Sequence, residues 1–436
     1  MSKIFKMAVP VAAMALLAGC AGGGVPAQSA ASLSADAEVS GAITVWTWDV
    51  SATALKRLAT DYTAKHPGTT IDVVDIGYDN AYDKMSVSLQ AGSGLPDIIT
   101  VESARMPAYI SQFPKGFTDL KPLIDGKTDL FEAAKVEASS DKEGRLLSMP
   151  WDSGTVANFI RTDYFKEVGI DPASVKTWND MVEAGVKIKE KTGHTLISTD
   201  LSGGGIFSML LQQQGKGTFN AAGEIDLNAP EAVEALTLMQ TMQKKGLLHN
   251  VKGWDGQVTA AKDGKSATNP EAVWWIGTLV GEAPELSGKY GVQPLPVFKE
   301  GGGATSSNGG STLAVPTQAK NPVLAGDFVK FALANTDNQV SMMRDEGLFP
   351  SYLPAFKDPI FAEPQKYFGG EKVYELFAEQ TPKILPVPTT SDSAMAGDIV
   401  ANAVVSAVLN GADPAKVLNG AAEQIATATK RTIAKY

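Results

Sequence analysis

With 436 residues the chain exceeds what one compact core holds and fits two domains of ordinary size. Apolar residues at 44% and charged residues at 20% describe a folded globular protein and exclude extended disorder. A formal charge of -10 and a pI near 5.0 exclude a nucleic-acid binder, which needs a basic face, and leave neutral ligands or partners met through local patches.

Lys3 and Lys6 precede an apolar run from Met7 to Ala18 that is too short to span a bilayer, and Leu17-Ala18-Gly19-Cys20 closes it. Cys20 is the chain's sole cysteine, so it has no disulfide partner within the chain. The tetrad resembles the lipobox of bacterial lipoproteins, which implies a signal peptide over 1–19 and a lipid on Cys20. An ordinary secretory signal cut nearby is the alternative. Residues 20–40, rich in Ala, Gly and Ser, are expected to form a flexible tether. No later stretch is long and apolar enough to cross a membrane.

The run Ala42 to Trp48 alternates and is rich in β-branched and aromatic residues, so it reads as a first strand. Leu55, Leu58, Ala59 and Tyr62 then share one helical face, with Ser51 as the expected N-cap and Pro67-Gly68 as the stop. A strand over Thr70 to Ile76 completes a βαβ unit of a parallel sheet. A helix from about Tyr82 to Ala91 leads to the buried strand Asp97 to Val101. Ligands of such sheets bind beyond the C-terminal ends of the strands, which points to Trp48, Asp49, Tyr78, Asp79, Glu102 and Arg105 as one wall of a site. Asp97, at the opposite end of its strand, reads as structural.

The stretch from Leu146 to Asp180 steps into Pro150, sets Trp151 and Asp152 on a Ser153-Gly154 turn, and continues as a strand from Val156 to Ile160. That turn reads either as ligand recognition or as plain surface. Thr177-Trp178-Asn179-Asp180 has capping-box spacing, so Trp178 is expected to staple a helix. A Gly203-Gly204-Gly205 turn precedes an apolar helix, and Asn228-Ala229-Pro230-Glu231 opens another. In Glu271-Ala272-Val273-Trp274-Trp275 the adjacent rings point in different directions, so one can be buried while the other lines a surface. Asp413-Pro414 opens the last helix.

These marks, in this order, resemble the family 1 extracellular solute-binding proteins. The resemblance rests on Leu95-Pro96-Asp97-Ile98, on Ile160-Arg161-Thr162-Asp163 through Thr177-Trp178, and on Gly291-Val292-Gln293-Pro294-Leu295-Pro296. It also rests on Gly309 to Val315 with Asn321-Pro322, and on Gly347-Leu348-Phe349-Pro350-Ser351. Most members carry an Asn at the strand end where this chain has Arg161-Thr162. The resemblance implies an α/β fold of two lobes, periplasmic-binding-protein-like type II, each a mostly parallel sheet flanked by helices and joined by hinges. It also implies delivery of sugars to the permease subunits of an ABC importer, from the outer face of the cytoplasmic membrane. The expected division is 41–118 with 303–348 for lobe 1, and 119–302 with 349–436 for lobe 2.

The three histidines, His66, His194 and His249, are not at metal-ligand spacing, and Gly264-Lys265-Ser266 lacks the first glycine of a phosphate loop. No GxSxG occurs. Sugars present apolar C–H faces and a rim of hydroxyls, so they need aromatic platforms and short polar groups. Trp48, Trp151, Trp254, Trp274 and Trp275 are candidate platforms, each with a core role as its alternative. Asp49, Asp152, Glu102 and Asp255 are candidate acceptors, and Asn308 is counted with the site. The expectation is a monomeric, non-enzymatic protein that binds a di- or oligosaccharide without cofactor or metal. A secreted glycoside hydrolase and a surface scaffold lipoprotein are the rival readings.

Overall fold

The computed structural model describes residues 38–436, so the expected signal peptide, Cys20 and most of the expected tether lie outside the described residues. Among the described residues ten strands form two sheets of the same design. The first has the order β2-β1-β3-β10-β4, built from β1 (Gly41–Thr47), β2 (Thr69–Asp75), β3 (Ile98–Glu102), β4 (Met149–Pro150) and β10 (Ser311–Ala314). The second has the order β7-β6-β8-β5-β9, built from β5 (Val156–Arg161), β6 (Thr195–Thr199), β7 (Leu248–Asn250), β8 (Ser266–Ala272) and β9 (Tyr290–Gln293). In each sheet one inner strand runs against the rest: β10 is antiparallel to β3 and β4, and β5 to β8 and β9. These are the strands by which the chain enters a lobe from the other. They start where their neighbours end, so both sheets turn their C-terminal strand ends toward the crossing.

The βαβ expectation holds, with β1 parallel to β2 from Gly41↔Thr69 to Thr47↔Asp75. Between them α1 (Asp49–Lys65) buries Leu55, Leu58, Ala59 and Tyr62 against the sheet. It starts earlier than the sequence suggests, with Trp48 as N-cap and Ser51 buried inside it. The next helix, α2 (Tyr78–Ala91), likewise begins a turn early, because Gly77 supplies the positive φ of 70° that turns the chain. Asp97 ties the far end of the sheet by accepting from Thr44 N (3.0 Å), Lys320 N (2.6 Å) and Asn321 N (3.0 Å). The Trp178–Thr192 helix carries the complete Thr177/Asp180 capping box, with Trp178 buried and its Nε1 donating to Gln213 Oε1 at 3.0 Å.

The first lobe boundary falls later than the division at 118/119. Leu120, Leu123, Ile124, Phe131, Leu146 and Met149 pack into the core of the first sheet, and β4 pairs with β10, so residues 119–150 belong to lobe 1. The chain crosses at about 151–155, again at about 305–310, and a third time near 349. The three segments bond side by side: Ser153 N to Phe349 O (2.7 Å), Asn308 N to Gly154 O (2.8 Å), Val156 N to Ser306 O (2.9 Å) and Ser351 N to Trp151 O (3.0 Å).

Candidate functional site

Both sheets end at this crossing, and a cleft of about 370 Å³ opens there. That lies at the lower end of the roughly 300–1,000 Å³ typical of small-molecule sites. Tyr78 and Arg105 line it from lobe 1, and Trp254, Gln257, Asn269 and Glu271 from lobe 2, with Asn308 of the second crossing between them. At its mouth α2 meets the Gly253–Lys262 helix. A larger depression of about 490 Å³ lies between α1 and the edge strand β2, lined by Lys56, Thr60, Thr63 and Asp72. It has no aromatic lining and no residue from lobe 2, so the cleft is the better binding site.

The lobe 1 wall is organised by Glu102. Tyr82 Oη donates to its Oε2 at 2.7 Å, Tyr78 Oη reaches it at 3.2 Å, and Arg105 Nε sits 3.3 Å away. The carboxylate, with burial, pushes the Tyr78 phenol well above its usual range, and burial followed by Glu102 does the same for Tyr82. Both phenols therefore stay protonated donors at neutral pH. The Arg105 guanidinium stacks over Tyr82 at 3.9 Å from the ring centroid. Trp48 is 7% exposed and packs edge-on to Tyr78 at 5.6 Å, supporting the wall from behind. Asp49 is the first residue of α1, with φ 47°, and is not among the residues that line the cleft. Asp79 belongs to α2, and its side chain lies outside the described residues.

On the lobe 2 side three indoles meet edge to face, with centroids 5.5 Å apart for Trp254–Trp274 and 5.4 Å for Trp254–Trp275. The adjacent pair divides as chain geometry requires: Trp275 is fully buried among Phe159, Phe349 and Phe377, while Trp274 is half-buried where three cores meet. Trp274 Nε1 donates to Asn308 O at 3.1 Å, which fixes this ring at the crossing. Trp254 lines the cleft, whereas Asp255, one residue on, is exposed and faces away.

Two expected contacts are core residues. Trp151 has no exposed surface and packs with Leu146, Leu313 and Leu348, so it presents no face to a ligand. Asp152 is 3% exposed and spends its Oδ1 on Ser311 N at 2.6 Å, joining the first crossing to the second. Burial pushes its carboxyl up to about 6, against the pull of Lys135 and the Ser311 amide. The Ser153-Gly154 turn, for which the sequence leaves both ligand recognition and plain surface open, is the buried crossing itself.

Two acids line the cleft that are not among the expected site residues, Asp200 and Glu271. Glu271 ends β8, is 9% exposed, and accepts from Asn308 Nδ2 at 3.1 Å and from Gln257 Nε2. Burial pushes its carboxyl up to about 7, against those two donors. The cleft thus offers aromatic rings, the carboxylates of Asp200 and Glu271, amides and one guanidinium, with Glu102 bonded to Tyr78 and Arg105. Among the described residues no group of His, Cys, Asp or Glu is arranged to hold a metal ion.

The arrangement recurs in known proteins. The family model for bacterial extracellular solute-binding proteins matches residues 48–339. The lactose-binding protein of Rhizobium radiobacter is 30% identical over 360 residues, covering 80% of this chain and 84% of its own. The arabinooligosaccharide-binding protein of Bacillus subtilis is 28% identical over 362 residues, covering 80% and 83%. The fold is shared with the ABC transporter associated binding protein of B. animalis subsp. lactis in complex with beta-1,6-galactobiose. Its TM-score is 0.80 at 23% identity, over 91% of this chain and 100% of that one. It is shared also with maltose-bound MalE3 of T. maritima, at a TM-score of 0.77 and 20% identity over 89% and 99%.

Proposed function

The chain belongs to the bacterial extracellular solute-binding proteins, and from that premise we propose that it captures a di- or oligosaccharide between its lobes and hands it to an ABC importer. The observation that carries this is the cleft itself, walled by Tyr78 and Arg105 from one lobe and by Trp254, Gln257 and Glu271 from the other. A ligand there touches both lobes at once, so its binding energy favours the closed arrangement over an open one. Trp254 and Tyr78 are the platforms for C–H faces. Glu102, Glu271 and Asn308 take the hydroxyls, and Arg105 donates to ring or hydroxyl oxygens. Relatives named for lactose and for arabinooligosaccharide support a short glycan over a monosaccharide.

No chemical step is assigned to this site, and the protein acts by binding alone. As a monomer anchored through a lipid on Cys20, it would hold its cargo at the outer face of the membrane, within reach of the permease. Incorporation of labelled fatty acid that is lost in Cys20→Ser tests the anchor. The binding reading is tested by melting temperature and tryptophan fluorescence against lactose, maltose, arabinotriose and β-galactobiose. One saturable ligand that raises the melting temperature as mass action requires supports it. Silence across these and further glycans, or cleavage of any of them, overturns it.

A further inference from the structure

Glu271 stands apart from the other acids of the molecule in position and company. Its carboxylate joins two elements that carry the cleft: Gln257, one turn beyond Trp254 on the Gly253–Lys262 helix, and Asn308, on the second crossing between lobes. Asn308 in turn accepts the Trp274 indole N–H through its carbonyl and donates its own N–H to Gly154 O of the first crossing. One carboxylate therefore ties a wall of the site to the segments that join the lobes. Beside it on β5 stands Ala157, an apolar neighbour. The charged groups that share the cleft are committed elsewhere: Arg105 to Glu102, and Asp200 to Gly253 N at 2.7 Å and Ser202 N at 2.8 Å. Among the described residues no cation forms an ion pair with Glu271, which stands desolvated with neutral amide donors alone.

We propose that Glu271 is a ligand-contacting residue through which capture is linked to proton release, the ionised carboxylate being the form that binds. This rests on the carbohydrate reading of the cleft. A sugar hydroxyl that donates to Glu271 adds a donor to a carboxylate holding two, and further hydrogen bonds favour the charged form. Protonation instead places an O–H where Asn308 or Gln257 must donate. That opposes a bond on one side and loosens the tie between the α-helical wall and the crossing. The burial that holds this carboxyl near neutrality puts the exchange within the range an extracytoplasmic protein meets. Where only the ionised form binds, linkage makes the affinity at pH 5.5 about thirtyfold lower than at pH 8, and capture at pH 7 releases about half a proton.

The test is calorimetric titration of the intact protein with lactose and with arabinotriose, in two buffers of different ionisation heat, from pH 5.5 to 8. The expected result is affinity that rises with pH through about 7 and proton release at pH 7, both abolished in Glu271→Gln. Affinity flat across that range, or a dependence that survives in Glu271→Gln, overturns the linkage while leaving carbohydrate binding intact. Binding of neither sugar, nor of any glycan substituted for them, overturns the underlying reading and the linkage with it. Independently of any ligand, tryptophan emission of the free protein should shift with pH near 7, because Trp274 bonds to Asn308. Its absence in the wild type contradicts the coupling of Glu271 to the crossing.

Discussion

Substituting Gly154 by alanine probes the crossing most sharply. A Cβ at Gly154 would lie 2.8 Å from the Asn308 carbonyl carbon and 2.9 Å from the Gly309 carbonyl carbon, and closer still to the Asn308 oxygen. All three are backbone atoms of the neighbouring crossing strand, which cannot rotate aside as a flexible side chain can. The two strands must separate by roughly half an ångström or more against an ordinary spacing of about 4.8 Å, which breaks or stretches the Asn308 N to Gly154 O bond. Overpacking of about 1–3 kcal/mol together with a lost hydrogen bond of about 1 kcal/mol gives a destabilisation of about 2–4 kcal/mol. The same displacement carries Asn308 away from Glu271. Loss of that charge-assisted bond, about 1.5 kcal/mol, weakens sugar binding roughly tenfold. Urea unfolding followed by circular dichroism, with titration calorimetry of the bound sugar, measures both. A Gly154→Ala protein that unfolds at the wild-type urea concentration and binds within twofold of wild type would refute the side-by-side arrangement of the crossings.

Other consequences separate core from cleft. Trp151→Ala should cost about 3–5 kcal/mol of stability, because the ring is wholly buried, whereas Trp254→Ala, at a ring half-buried against Trp274 and Trp275, should cost less stability and weaken sugar binding; both are read in the same two assays. Glu271 and Asp152 have raised carboxyl values, so the folded chain holds their protons more tightly than the unfolded chain does, and stability falls as pH rises from about 4 to about 7. Glu271→Gln should remove its share of that loss, about 3 kcal/mol between pH 4.5 and pH 8, in urea unfolding of the sugar-free protein. Asp200 and Glu271 line the cleft, and its Arg105 is paired with Glu102, so a glucuronide should bind at least tenfold more weakly than its neutral parent disaccharide in calorimetry.

Much of lobe 1 was legible because its signals are local. The alternation of β1, the helical face of α1 and the short buried β3 announce a parallel unit, and the strand-end rule then led to Tyr78, Glu102 and Arg105. The crossings were not legible in the same way. Trp151-Asp152-Ser153-Gly154 has the composition of a surface turn, and its burial comes from segments about 150 and 200 residues further on. The early boundary at 118 has a similar cause, since a two-residue strand such as β4 has no periodicity of its own. Glu271 escaped because β8 reads Ser-Ala-Thr-Asn-Pro-Glu-Ala, polar and with a proline that argues against a central strand. The strand tolerates Pro270 because its recorded pairing with β6 ends at Thr268, so no ladder bond on that side needs the missing N–H. The sequence leaves open which of Trp274 and Trp275 is buried, and packing against Phe349 at the third crossing decides it for Trp275.

The most direct test of the central claim is a crystal structure of the protein with the sugar that its binding screen identifies. The account predicts electron density for the glycan between Tyr78 and Arg105 on one side and Trp254 and Glu271 on the other, with Asn308 at its base. A sugar seated on one lobe alone, or in the groove between α1 and β2, would contradict it.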